Sequence, residues 1–152
     1  MWEKYPRSIK YMDKNLLAID YGQKFTGLAT YHIGKDPYPM PYGRVAYKSD
    51  KQLAQEILSI CSMEDIEIII LGIPKLLDGK ETTMTKMIAA FGETLKKQWD
   101  EAHFFTQDET LSTFEAKERM KNSAQYNFKI DMNKVDEIAA CIILEDFLKM
   151  EL

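Results

Sequence analysis

The chain is poor in the residues from which disulfide scaffolds and soft-metal centres are built. Of its 152 residues two are Cys and two are His, which excludes a stapled mini-domain and argues against a structural zinc site. Cys61 and Cys141 each stand among apolar neighbours, "ILSICSM" and "IAACIIL", so both are expected as buried thiols in a reducing cytosol. No apolar run reaches the roughly eighteen residues of a membrane span. The opening "MWEKYPRSIKYMDKN" scatters charges where a secretory leader needs an unbroken oily stretch. A cytoplasmic protein with no membrane partner is expected. Repeats and low-complexity tracts are also lacking, which excludes solenoids and long disordered tails.

What is present is a globular composition, 45% hydrophobic and 29% charged. A chain of 152 residues is long enough to bury roughly two thirds of its unfolded surface in one core. The expected organisation is an N-terminal extension over 1–15 and a single domain over 16–152. The extension interleaves Trp2, Tyr5 and Tyr11 with Lys4, Arg7 and Lys10, a pattern suited to stacking bases and neutralising phosphate, and equally to a plain tail or a dimer contact. A net charge of −4 argues against a surface that grips nucleic acid all round, but not against one basic face on an enzyme whose site is acidic.

Hydrophobic spacing supplies the elements. Strands are expected at Leu16–Ile19 and Phe25–Tyr31, with an edge strand at Arg44–Tyr47 after a Pro- and Gly-rich loop over 34–43. A helix is expected over Lys51–Met63, then the β-branched run "IEIIIL" at 66–71 as a central strand covered on both faces. Met84, Met87, Ile88, Phe91, Leu95 and Trp99 stripe a second helix, and Ala102–Thr106 reads as the last strand. Ser112 and Glu115 are spaced as a capping box for a third helix. Val135, Ile138, Ala139, Ile142 and Phe147 mark a fourth. Three meandering strands followed by alternating strand and helix imply an α/β fold, a mixed five-stranded sheet flanked by helices.

Three acids fall at element ends. Asp20 closes the first strand, Glu109 follows the last, and Asp136 lies in the first turn of the final helix, on a stripe with Ala140, Ile143 and Phe147. In open sheets, sites form where strand ends diverge. Each acid also has a plain reading: Asp20 with Gly22 as a hairpin turn, and Asp136 with Asn133 as a helix-capping pair. If the three meet, their charges conflict unless a cation joins them. Oxygen ligands of this kind select hard ions, Mg²⁺ or Mn²⁺, and two such ions can serve phosphodiester hydrolysis. His32 and His103 are assigned structural roles.

The motifs around these acids carry a resemblance. "AIDYGQKFTGLA", "LGIPKLLDGKETTMT", "DETLSTFEA" and "VDEIAACIILEDFL", in that order over residues 16–148, are similar to the four motifs of the YqgF (RuvX) family. That family comprises pre-16S rRNA nucleases also described as Holliday junction resolvases, with an RNase H-like fold. The resemblance implies that Asp20, Glu109 and Asp136 are the catalytic, metal-binding acids, holding two Mg²⁺ or Mn²⁺ ions. It further implies that Gly22 and Gly27 permit close approach, and that Lys24, with Lys75 or Lys80, contacts the substrate backbone. Phe25 and Thr110 stand where the family commonly has Arg, so two guanidiniums are missing.

The expected function is therefore metal-dependent endonucleolytic cleavage in maturation of precursor 16S ribosomal RNA, on the small-subunit precursor, by a monomer or homodimer. Cleavage of branched DNA is the first alternative. An inactive nucleic-acid-binding module is the second.

Overall fold

The computed structural model of the chain describes residues 14–74, 81–100 and 102–149. The expected extension up to residue 13, and Lys75, Asp78, Gly79 and Lys80, lie outside the described residues.

Strands β1 (Asn15–Asp20), β2 (Phe25–Tyr31) and β3 (Met40–Ala46) form an antiparallel meander. Helix α1 (Asp50–Met63) then leads into β4 (Ile66–Ile73), which runs parallel to β1. Helix α2 (Thr83–Gln98) returns the chain to β5 (His103–Asp108), parallel to β4. Helices α3 (Ser112–Lys121) and α4 (Val135–Lys149) follow, separated by a 3₁₀ turn at Ala124–Tyr126. The sheet order is β3-β2-β1-β4-β5, the five-stranded mixed sheet that the sequence implies.

Residue period sorts the core into two layers. Leu17, Ile19, Leu28, Ile69 and Leu71 face α1 and α2 and pack on Ile57, Ile88, Phe91 and Leu95. Leu16, Ala18, Ala29, Ile68, Ile70 and Phe105 face α4 and pack on Ala140, Ile143 and Phe147. Strand β4 needs apolar side chains on both faces because helices cover both. Helix α4 is itself buried nearly all round, since α3 covers its outer side through Ala116 and Met120 against Ile138, Ala139 and Ile142. A helix with lipophilic residues on every face is stable only when enclosed in this way.

Two local expectations are corrected. β3 begins at Met40, inside the segment expected as a loop. Pro41 is tolerated there because β3 is an edge strand and need not donate on its outer side. The capping box expected at Ser112 and Glu115 does not form: α3 has Leu111 as N-cap with no side-chain cap, and the Ser112 hydroxyl donates to the Glu109 carbonyl at 3.0 Å. The capping box lies instead at Thr82 and Thr85, opening α2. His32 falls just beyond β2, where its ring lies between Asp36 (Nδ1 to Oδ2, 2.9 Å) and Glu64 (Nε2 to Oε1, 3.2 Å), the structural role expected of it. Cys61 and Cys141 are free and buried, as expected.

Candidate active site

The alternation that builds the core also aims the acids. Leu16 and Ala18 face α4, so Asp20, two residues on, faces the same way. On β4 the same face carries Ile68, Ile70 and then Gly72; on β5 it carries Phe105, Gln107 and, just past the strand, Glu109. The Glu109 amide still donates to the Ile73 carbonyl at 3.0 Å, extending the ladder one step and fixing that side chain beside Gly72. On β2 the face carries Ala29, Gly27 and Phe25, and on β3 Arg44, which pairs with Gly27 as Gly27 pairs with Asp20.

Two glycines make room for the other acids. A Cβ on Gly27 would lie 2.0 Å from the Asp136 carbonyl oxygen and 2.8 Å from its Cβ, so α4 can seat its first turn only over a bare backbone. A Cβ on Gly72 would lie 3.0 Å from Glu109 Oε2 and 2.6 Å from Ile143 Cδ1. Gly27 thus serves the approach of α4. At Gly22 a Cβ would meet the Phe25 carbonyl oxygen at 2.2 Å, so the hairpin turn itself requires glycine there. Opposite this face, the Tyr21 hydroxyl donates to Asp50 Oδ1 at 2.9 Å and its ring lies on Phe91, centroids 5.0 Å apart. These contacts hold the end of β1 from behind.

The structure brings the Asp20 and Glu109 carboxyls into mutual hydrogen-bonding contact. Burial pushes Asp20 above the ordinary carboxylate range, the bond from Glu109 pulls it back, and the charge of Asp136 pushes it up again. Glu109 is raised by burial, by the bond and charge of Asp20, and by Asp108. Asp136 is raised by burial and eased downward by the Arg44 guanidinium. Asp20 and Glu109 are therefore in contact and Asp136 within electrostatic reach. Among the described residues no three His, Cys, Asp or Glu side chains are closed into a ready ligand cage. The donor set nevertheless suits a hard cation: it is all carboxylate oxygen, half-buried, and its charged forms are disfavoured by burial where no positive charge offsets it.

Lys24 is exposed at the tip of the β1–β2 turn, its carbonyl accepting from the Tyr47 amide at 2.8 Å. Asp108 accepts from the Thr110 amide at 3.0 Å and from its hydroxyl, a local turn that shapes the chain just after Glu109. A hollow beside Glu109 is lined by Asp108, Thr110, Ser112, Glu115 and Asp146. A larger one, about 500 Å³ and bordered by Leu58, Asp65 and Trp99, lies at the opposite ends of the strands, away from the acids. Asn133 does not pair with Asp136 as a cap; its Oδ1 accepts from Arg44 Nη2 at 3.0 Å. Arg44 escaped sequence reasoning, because its place depends on a strand register that no local pattern reveals.

A three-strand meander continued by two parallel strands, with acids gathered at the strand ends under a buried helix, defines the RNase H-like class of nuclease folds. Comparison with known proteins agrees. Residues 14–150 match the family RuvX, described as Holliday junction resolvase. Over 144 residues the chain is 34% identical to a Fusobacterium nucleatum protein named "Putative pre-16S rRNA nuclease", covering 91% of this chain and 99% of that one. A protein of the same name from Nitratidesulfovibrio vulgaris is 32% identical over 132 residues, covering 87% of this chain and 91% of that one. Among solved structures, Thermus thermophilus RuvC in complex with a Holliday junction substrate superposes with a TM-score of 0.55 at 10% identity, over 90% of this chain and 96% of that one. The chain belongs to the RuvX family.

Proposed function

We propose that the chain is a divalent-cation-dependent endonuclease that hydrolyses phosphodiesters in precursor 16S ribosomal RNA. It acts in the cytoplasm on the small-subunit precursor, and residues 16–152 form its single catalytic domain. The observation that carries this reading is the hydrogen-bonded Asp20–Glu109 pair with Asp136 alongside, on a chain whose relatives bear the nuclease name. An inactive scaffold has no use for three half-buried acids held against their own repulsion. Among the described residues no helix is long and apolar enough to cross a membrane, which accords with a substrate in free solution.

Asp20, Glu109 and Asp136 would hold the cations, Mg²⁺ or Mn²⁺ and two in number. Bound there, such ions supply Lewis acidity and a water acidified enough to attack phosphorus. The remaining work belongs to the protein. Asp20 and Glu109 offer carboxylate oxygens from two rigid strand ends. Asp136 approaches from α4, whose first turn is locked over Gly27. Lys24, and in the loop after β4 Lys75 and Lys80, neutralise backbone phosphates without reading bases.

The test is cleavage of end-labelled precursor RNA, and in parallel of a four-way DNA junction, by the parent and by Asp20→Asn, with Mg²⁺ or with EDTA. RNA cleavage that needs both Asp20 and Mg²⁺ is expected. Activity surviving the substitution or the chelator would end this reading. Junction cleavage in place of RNA cleavage would reassign the substrate, and would require a two-fold dimer visible by sedimentation.

A further inference from the structure

We propose that Arg44, laid on Phe25 and tied to Asn133, is a binding site for one backbone phosphate of the nucleic-acid strand entering the acid cluster. This rests on the nuclease reading above and assigns a residue to it. Arg44 is the β3 partner of Gly27, and Gly27 is the β2 partner of Asp20, so the three form one row across the sheet on the face that α4 covers. Paired strands lie about 4.8 Å apart, which sets the backbone of Arg44 roughly 10 Å from that of Asp20. The guanidinium therefore stands beside the acids rather than among them.

Its orientation is fixed. The guanidinium carbon lies 3.6 Å from the centroid of the Phe25 ring, and Nη2 donates to Asn133 Oδ1 at 3.0 Å. The strand beneath is held as well: the Gly43 amide donates to the buried Glu137 carboxylate at 2.7 Å, and Lys134 pairs with the same carboxylate at 3.4 Å. Arg44 is thus fastened through two residues to the turn of α4 that carries Asp136.

The partners that hold it are neutral. Arg119 shows the other possibility in the same molecule, its fork closed on both oxygens of Glu145 at 2.8 and 2.9 Å. Among the described residues no carboxylate lies within ion-pairing distance of Arg44. A guanidinium stacked on a ring keeps its N–H groups in the plane, where a phosphate can accept two of them at once. Asn133 takes an Nη2 hydrogen, and among the described residues no ion pair engages the rest of the fork. A fixed fork with no carboxylate in ion-pair contact, near enough to Asp136 to favour its charged form and next to acids that would otherwise repel a polyanion, is suited to a phosphodiester.

The experiment measures binding apart from cleavage. In the Asp20→Asn background, fluorescence anisotropy with a labelled single-stranded RNA is recorded over a salt series. Arg44→Gln is expected to weaken binding roughly tenfold and to lower the salt-dependence slope by about one phosphate contact. Arg44→Lys should keep the slope and lose part of the affinity, because the charge remains and the fork is gone. Phe25→Leu, which leaves Arg44 and Asn133 in place, should weaken binding less than Arg44→Gln. Unchanged affinity and slope in Arg44→Gln, or in Arg44→Lys and Phe25→Leu together if Arg44→Gln does not fold, overturns the assignment and makes Arg44 a staple for α4. Because parent cleavage is scored separately, that result would leave the nuclease reading standing. A protein that binds no nucleic acid at all would remove both.

Discussion

Gly27 and Asp136 meet backbone to backbone: a Cβ at position 27 would stand 2.0 Å from the Asp136 carbonyl oxygen. Neither partner can yield by rotating a side chain. Gly27→Ala must therefore lift the first turn of α4, at a cost of about 3 kcal/mol by the scale of overpacked cores. The lift also carries Asp136 away from Asp20. Gly72→Ala meets the flexible ends of Ile143 and Glu109 instead, and should cost about 1 kcal/mol. Urea unfolding of the two variants checks the ranking; equal stabilities would refute it.

The acid pair makes the cation-free protein sensitive to alkali. Asp20 and Glu109 are both raised above their unfolded values, chiefly by burial. A group with a raised folded pKa stabilises the protein fully below its unfolded value, about 4 for a carboxylate. That contribution is lost as pH climbs through the folded pKa. In EDTA, stability should fall from about pH 4 through about pH 6 as Asp20 ionises, by something of the order of 1 to 3 kcal/mol, and continue downward toward about pH 10 as Glu109 follows. Asp20→Asn should flatten the fall. Added Mg²⁺ should stabilise more at the higher pH, since a cation takes the deprotonated form. Thermal melts across this range are the measurement, and a stability that rises with pH in EDTA would contradict the geometry.

Both thiols should be inert in the native state. Burial pushes Cys61 and Cys141 up to about 12, which leaves roughly one part in ten thousand as thiolate at about pH 8. A thiol-specific chromogenic reagent should release almost no colour from the folded protein and two equivalents after denaturation. Prompt reaction of either thiol in the native protein would show that the α1 or α4 packing opens.

The acids were legible in the sequence because each sits where a hydrophobic pattern stops. Asp20 ends "LLAI", Glu109 follows an apolar strand, and Asp136 opens an apolar helix, so period and termination marked all three as element ends, while their meeting depends on which strands become neighbours. The sheet class followed from the same patterns. What escaped detection depends on contacts between distant segments. The stretch 40–43 looks like a loop because Pro and Gly suppress the strand signal, and only its edge position, set by pairing with β2, makes a strand there acceptable. Ser112 has the spacing of a capping residue, yet its hydroxyl is taken by the Glu109 carbonyl. Arg44 belongs to a constellation with Phe25 and Asn133 that exists only once β2, β3 and α4 are assembled.

The proline in β3 has a consequence for how the molecule behaves in a crowd. Position 41 offers no N–H, and the register slips between Gly27 and Ala29 opposite it. A stray extended peptide laid along this margin would find the hydrogen-bonding comb broken in its middle. The sheet is thereby poorly suited to growth on the flank nearest Arg44, where a fibre-like stack would have to bridge the gap.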